Sequence, residues 1–197
     1  MAMSENSPVA SRKADPRPAR TRDRLGDALV ELLLAKPFDD ITVQEVLDRA
    51  QVSRSTFYEH YRDKNDLFLS DVDDFFQSMS MLLERRNDRS ERVAPVAEFF
   101  AHVVAARDLY AALAATGRMG DVRELGEAHF ARSIAERLAR SRRGCRLPAP
   151  TSAALAHALA GSLFSLLEWW IRQGMATTPA QVDELFHRIA AGALANA

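Results

Sequence analysis

The sequence predicts an all-α fold of about nine helices, from three observations. Apolar residues recur three and four positions apart from about residue 20 to the end, the spacing that gathers side chains on one face of a helix. No stretch alternates apolar and polar residues as a half-buried strand does. Thr42 and Thr178 are each followed three positions on by Glu45 or Gln181, the pattern of a capping box at a helix start.

The 197 residues, 47% hydrophobic and 27% charged, suffice for one sizeable core or two small helical domains and exclude a wholly disordered chain. The net charge of −1 decides nothing, but its distribution is uneven. Between residues 12 and 24, Arg12, Lys13, Arg17, Arg20, Arg22 and Arg24 stand against Asp15 and Asp23. Such an arm fits an anionic partner such as DNA, and equally a solvated tail. Cys145 stands alone, which excludes an internal disulfide and points to a reducing cytoplasm. The N-terminal basic residues have no apolar run behind them, so they do not read as a secretory signal. The apolar stretch 153–171 contains His157, Gly161, Ser162, Ser165 and Glu168. A membrane span would set Glu168 in or near hydrocarbon at high cost, so the stretch reads as a helix buried between subunits and no membrane partner is expected.

Residues 1–19, with Pro8, Pro16 and Pro18, read as a flexible basic tail. A first helix is expected at 20–36, with Leu25, Leu29, Leu32 and Leu33 on one face and Pro37 stopping it. The second, at 43–49, follows Thr42; the third, at 54–61, follows Ser53; the fourth, at 64–85, follows Asp63. Pro95 suits another start, and Gly117 and Gly120 break the pattern after Leu113. Helices are expected at 121–140 and 151–173, and a last one opens at Thr178-Pro179. The implied domains are 20–66, a three-helix unit, and 67–197, a larger helical one.

Two short capped helices joined by a tight turn, the second polar on one face, form a helix-turn-helix. That shape suits DNA because a helix fits the major groove, where base edges display distinct donors and acceptors. Phe57 and Tyr61, four apart, share the inner face; Ser55, Tyr58, Glu59 and Arg62 point the other way, with Arg54 near the helix start.

The run Val52-Ser53-Arg54-Ser55-Thr56-Phe57-Tyr58-Glu59-His60-Tyr61, followed by Lys64 and Leu67, resembles the signature of the tetracycline-repressor (TetR/AcrR) family. Residues 37–43 resemble that family's link between its first two helices, and Trp169-Trp170 to Gly174 with Thr178-Pro179 is similar to one subgroup of its C-termini. The resemblance is dense over 20–68 and loose beyond. It implies a regulator that binds a palindromic double-stranded DNA operator as a homodimer, a repressor released by a small apolar ligand. It implies phosphate contacts by Thr42, Thr56, Tyr58, His60 and Lys64, base contacts by Arg54, Ser55 and Tyr58, and an approach to the backbone by Arg20 and Arg22, and Ser53 at the start of the recognition helix is counted with them as DNA-binding. Ser55 stands where glycine is common in the family, so operator preference does not carry over.

No enzyme motif, phosphate loop or close histidine pair occurs, so neither catalysis, nor a cofactor, nor a metal is expected. The second function class is a ligand-independent architectural or protein-recruiting DNA-binding factor. The two differ in the C-terminal interior: a ligand sensor encloses an apolar cavity, whose candidate lining is Phe99, His102, Val103, Tyr110, Met119, His129, Phe130 and Phe164, whereas a ligand-free factor is close-packed. The long apolar helix and the last helix are expected to build a two-fold dimer through Leu155, Leu159, Leu163, Leu166, Leu167, Trp170, Leu185, Phe186 and Ile189.

Overall fold

Helix follows helix along the whole described chain, and their caps and breaks place the site. The computed structural model describes residues 17–115, 117–141 and 144–196. Within them lie ten α-helices and two short 3-10 turns, with no strand. Helix α1 (Arg17–Ala35) buries Leu25, Leu29, Leu32 and Leu33. It begins three residues before the expected start, because Pro18 falls in its first turn, where a missing N–H removes no helical hydrogen bond. The rest of the expected tail, including Arg12 and Lys13, lies outside the described residues.

A 3-10 turn, Phe38–Asp40, leads into α2 (Val43–Ala50), α3 (Arg54–His60) and α4 (Lys64–Ser80). The fourth helix does not run on to residue 85; it breaks at Met81 and resumes as α5 (Leu82–Arg85). At the break the Ser80 carbonyl accepts a hydrogen bond from Ser133 Oγ at 2.7 Å, and the Ser80 hydroxyl turns to the Gln77 carbonyl at 3.3 Å. Side-chain hydroxyls drawn into the helical ladder bend or end a helix.

Helices α6 (Val96–Ala105) and α7 (Arg107–Ala115) follow, then α8 (Met119–Arg140), α9 (Ala149–Arg172) and α10 (Pro179–Asn196). Gly117, at φ +72°, makes the turn before α8, whereas Gly120 sits inside that helix and breaks nothing. Helices α8 and α9 run antiparallel, as shown by Arg123 reaching Glu168 at 2.5 Å and Gly126 facing Phe164. Helix α9 is long and apolar enough to cross a membrane. One face of it is nevertheless core, with Ala156, Leu159, Ala160, Leu163, Phe164, Leu167 and Trp170 buried, and Glu168 is paired to Arg123.

The centre is aromatic. Phe76, Phe99, Phe130 and Phe164 meet with ring centroids 5.4–6.2 Å apart, four of these six pairings tilted or edge-on at more than 60°, the arrangements ring quadrupoles favour. Here the expected cavity lining is corrected. Phe99, Val103, Phe130 and Phe164 are buried in one core cluster, with the three rings packed against one another. His129 is committed to Asp73, Nε2 to Oδ1 at 2.8 Å, and Met119 packs at the edge of the core.

The expected dimer face is corrected in the same way. Leu159, Leu163, Leu167, Trp170 and Phe186 are buried within the single chain, and Trp170 Nε1 donates to the Thr177 carbonyl at 2.9 Å. Of the expected interface, Leu155 and Leu166 are half-buried, while Leu185 and Ile189 are exposed. Beside them stands Trp169, 45% exposed, which the sequence reading passed over for its neighbour.

Gly126 is the tightest point of the core: a Cβ there would lie 2.2 Å from Phe164 Cζ and 2.7 Å from Phe76 Cζ. Gly126→Ala is therefore expected to lower the unfolding free energy by about 1–3 kcal/mol, the range for overpacking a filled interior, measured by denaturant titration.

Candidate functional site

The first three helices are joined by capping bonds that the local sequence dictates. Thr42 Oγ1 accepts from the Glu45 N–H at 3.3 Å, and the Glu45 carboxylate accepts from the Thr42 N–H and hydroxyl, both at 2.8 Å. Lys36 Nζ donates to Glu45 at 2.6 Å. That bond foremost, with the two from Thr42, holds the Glu45 carboxyl down at about 2. Helix α2 ends at Gln51 in a left-handed conformation, φ +51°. Arg24, from α1, donates to the carbonyls of Ala50 and Gln51 and so covers this helix end. Ser53 Oγ accepts from the Thr56 N–H at 3.2 Å and starts α3. Phe57 and Tyr61 are buried, which turns Arg54, Ser55, Tyr58 and Glu59 outward. The Arg54 guanidinium lies 5.7 Å from the Tyr58 ring centre, within cation–π range.

Seven of the ten expected DNA-binding residues are exposed, Arg20, Arg22, Thr42, Ser53, Arg54, Ser55 and Tyr58, and among the described residues the three arginines have no ion pair. Thr56 and His60 are half-buried, with Thr56 Oγ1 2.8 Å from Ser53 Oγ. Thr42 is exposed, but its hydroxyl proton goes to Glu45. Nearby Arg49 and Arg62 are paired, to Glu31 at 2.5 Å and Asp66 at 2.9 Å.

Lys64 departs from expectation. Its ammonium donates to three backbone carbonyls, of Phe38 at 2.7 Å, Asp39 at 3.0 Å and Ile41 at 2.7 Å. An ammonium has three N–H donors, so none remains for a phosphate. Lys64 positions the loop before α2 instead. Arg118, at the start of α8, lies over the same Phe38 ring at 4.2 Å and donates to Asn65 on α4 at 2.7 Å. Sequence reading missed Arg24 and Arg118, because their partners stand 26 and 53 positions away and no local pattern announces them.

A second feature adjoins the first three helices. A cleft of about 230 Å³ opens between α1, α4, α6 and α7, walled by Leu29, Leu33, Phe68, Phe75, Leu109 and Tyr110. Only His102 and Tyr110 of the expected ligand residues line it. One carboxylate, Asp71, also lines it. Burial, then Asp74, Asp27 and Asp23, push the Asp71 carboxyl up to about 7. Burial holds the His102 imidazole below its ordinary value and the Tyr110 phenol well above its own, so both are neutral near pH 7.

The sequence profile described as "Bacterial regulatory proteins, tetR family" matches residues 25–70, which hold the capped helices just described. This segment is similar to the DNA-binding region of TetR-family transcriptional regulators. Over 70 residues it is 37% identical to the uncharacterized HTH-type transcriptional regulator YdeS of Bacillus subtilis (strain 168), a match that spans 34% of this chain and 35% of that relative's length. The TetR fold extends further. A TetR regulator from Streptococcus agalactiae 2603V superposes with a TM-score of 0.58 at 21% identity, covering 89% of this chain and 96% of that one. A TetR-family regulator from Syntrophomonas wolfei superposes at 0.62 and 15% identity, covering 90% and 96%. DhaS, a dihydroxyacetone kinase operon activator, does so at 0.62 and 13%, covering 89% and 95%.

Because Lys64 serves the loop, Lys64→Ala is expected to lower stability by about 1–3 kcal/mol without any DNA present, the cost of leaving part-buried carbonyls unsatisfied. Thermal unfolding of the protein alone checks this; an unchanged midpoint would return Lys64 to the surface role.

Proposed function

We propose that this chain is a TetR-family regulator, that it binds a palindromic double-stranded DNA operator as a homodimer in the cytoplasm, and that it represses transcription until a small ligand releases it. Residues 20–66 read the DNA, and 67–197 carry the dimer face and the ligand site. The observation that carries the reading is the outer face of α3: Arg54, Ser55 and Tyr58 stand exposed on a helix capped at its start and pinned from behind by Phe57. N-terminal residues of such a helix reach base edges, and arginine bonds guanine bidentately. Arg20 and Arg22, with no ion pair among the described residues, supply cations for the flanking phosphates.

The ligand-independent reading draws support from the filled aromatic centre, and the ligand-responsive one from the cleft between α1 and α4. The cleft favours the second, because α1 belongs to the DNA-reading unit and α4 enters the C-terminal body, so whatever fills the space acts on the angle between them. Fold does not decide the direction of control: DhaS, similar in fold, is named an activator.

The dimer rests on the exposed apolar residues of α9 and α10. Trp169, Leu185 and Ile189 lie in the open with Leu155 and Leu166 partly so, and a Cβ built on Gly161 meets nothing within 4 Å. A second copy laid on this face completes a four-helix bundle.

Selection of bound duplexes from a random pool by the full-length protein tests the whole reading. The expected product is a palindrome whose half-sites lie about 34–36 Å apart; no enrichment would overturn it. On the selected site Arg54→Ala is expected to cost about 1–3 kcal/mol per half-site and far less on random DNA, whereas equal losses on both would make Arg54 a phosphate contact. Light scattering of the unaltered protein is expected to give twice the 21.9 kDa chain mass. Trp169→Glu is expected to give single-chain mass at micromolar concentration; a dimer that survives this change would move the interface elsewhere.

A further inference from the structure

The cleft beside α1 carries an unusual charge pattern. Its walls are apolar and aromatic, and its one ionisable acid, Asp71, pairs with no lysine or arginine among the described residues. The neighbours of Asp71 worsen its position. Asp23 and Asp27 approach from α1, Asp74 from α4, and the Tyr61 phenol stands behind. Among the described residues the other titratable groups lining the cleft are His102 of α6 and Tyr110 of α7, both neutral near pH 7. The backbone of α1 presses on the carboxylate directly, since a Cβ built on Gly26 would lie 2.6 Å from Asp71 Oδ2. A carboxylate half-buried among carboxylates, with no ion pair among the described residues and only Arg22 of α1 nearby beside Tyr61, is a site short of one positive charge.

We propose that this cleft binds a small lipophilic amine in its protonated form, with Asp71 as counter-ion and the rings of Phe68, Phe75 and Tyr110 around its apolar body. The proposal rests on the reading of the chain as a ligand-responsive regulator and gives that ligand its chemical class. Three features select it. The cation relieves the repulsion that Asp71 suffers from Asp23, Asp27 and Asp74. Aromatic faces attract a cation further. A volume near 230 Å³ falls below the ~300 Å³ at which pockets for drug-sized ligands begin, so the molecule is small. The same carboxylates repel a lipophilic anion such as a fatty acid. Because Leu29, Val30 and Leu33 of α1 form one wall and α4 another, the occupant stands directly between the DNA-reading unit and the body.

The test is calorimetric titration of the full-length protein with three probes of like size: 2-phenylethylammonium, neutral 2-phenylethanol and anionic phenylacetate. The amine is expected to bind about tenfold or more tightly than the alcohol, as one charge-assisted hydrogen bond provides, and the anion not at all. Asp71→Asn keeps the shape and is expected to erase the preference while binding the alcohol as the unaltered protein does, which also shows that the variant is folded. Amine affinity is expected to rise between about pH 6 and 8 as Asp71 gives up its proton, since the ammonium itself stays charged; in Asp71→Asn it is expected to stay flat. Alcohol or anion binding as well as the amine overturns the cation class, and a preference that survives Asp71→Asn overturns the role of Asp71. No binding of any probe at millimolar concentration overturns the site. Titration of the selected operator with amine present is a separate question: if the amine binds as expected and operator affinity does not move, the site stands and the ligand-responsive reading falls.

Discussion

Four successive carbonyls, from Phe38 to Ile41, point at two lysines. Lys64 takes those of Phe38, Asp39 and Ile41, and Lys36 takes that of Asp40. Everything on the DNA side of the molecule depends on this loop. It fixes where Thr42 begins α2, α2 braces α3, and α3 presents Arg54 and Tyr58. Lys64 is also the first residue of α4, and Phe38 is covered from the other side by Arg118 of α8. One ring and one ammonium thus join the end of α1, the start of α2, the start of α4 and the start of α8. A tilt of α4 cannot leave the loop behind, which is a mechanical route between the body and the reading helix that needs no contact between them.

What the sequence made legible follows from range. Caps, breakers and periodicity act within a few residues, so the starts of α2, α3, α4 and α10 could be read directly from Thr42, Ser53, Asp63 and Thr178. The break at Met81 could not, because it depends on Ser133 reaching the Ser80 carbonyl from 53 positions away. The same limit governed the site. The outward face of α3 was legible from its wheel, but Lys64 looked like a surface cation until the carbonyls of residues 38–41 were seen around it. In the body, apolarity marked Phe99, Phe130 and Phe164 as interior residues; whether they enclose a space or fill it depends on how three separate helices approach, and Gly126 lets them approach closely. On α9 both tryptophans are apolar and adjacent, and one helical step of about 100° separates core from surface.

Charges are arranged in two opposite ways. Away from the DNA side, two arginines are held by several acceptors each: Arg92 reaches Glu98 at 2.5 Å and Asp183 at 2.9 Å, while Arg137 binds Glu84, Asp88 and the carbonyl of Ser90. Those pairs lock the segment after α5 to α8 and α10. Between α1 and α4 the acids Asp23, Asp27, Asp71 and Asp74 gather with no ion pair among the described residues. The first arrangement makes the base of the body rigid, and the second leaves the joint next to the reading unit under repulsion. Rigidity at one end and unrelieved charge at the other suit a molecule in which motion is confined to the joint.

The exposed stripe on α9 and α10 has a consequence beyond assembly. With Trp169 and Ile189 in the open, 45% and 51% exposed, the single chain carries apolar surface that a partner copy removes from water. In the proposed dimer, folding and pairing would be one equilibrium, and resistance to unfolding would grow with the amount of protein present. A cell that makes few copies would hold a larger share as bare chains, and these are the ones a protease meets first. Scarcity and fragility would then become the same property, so that the lifetime of the dimer, and not only its occupancy of DNA, would depend on its copy number.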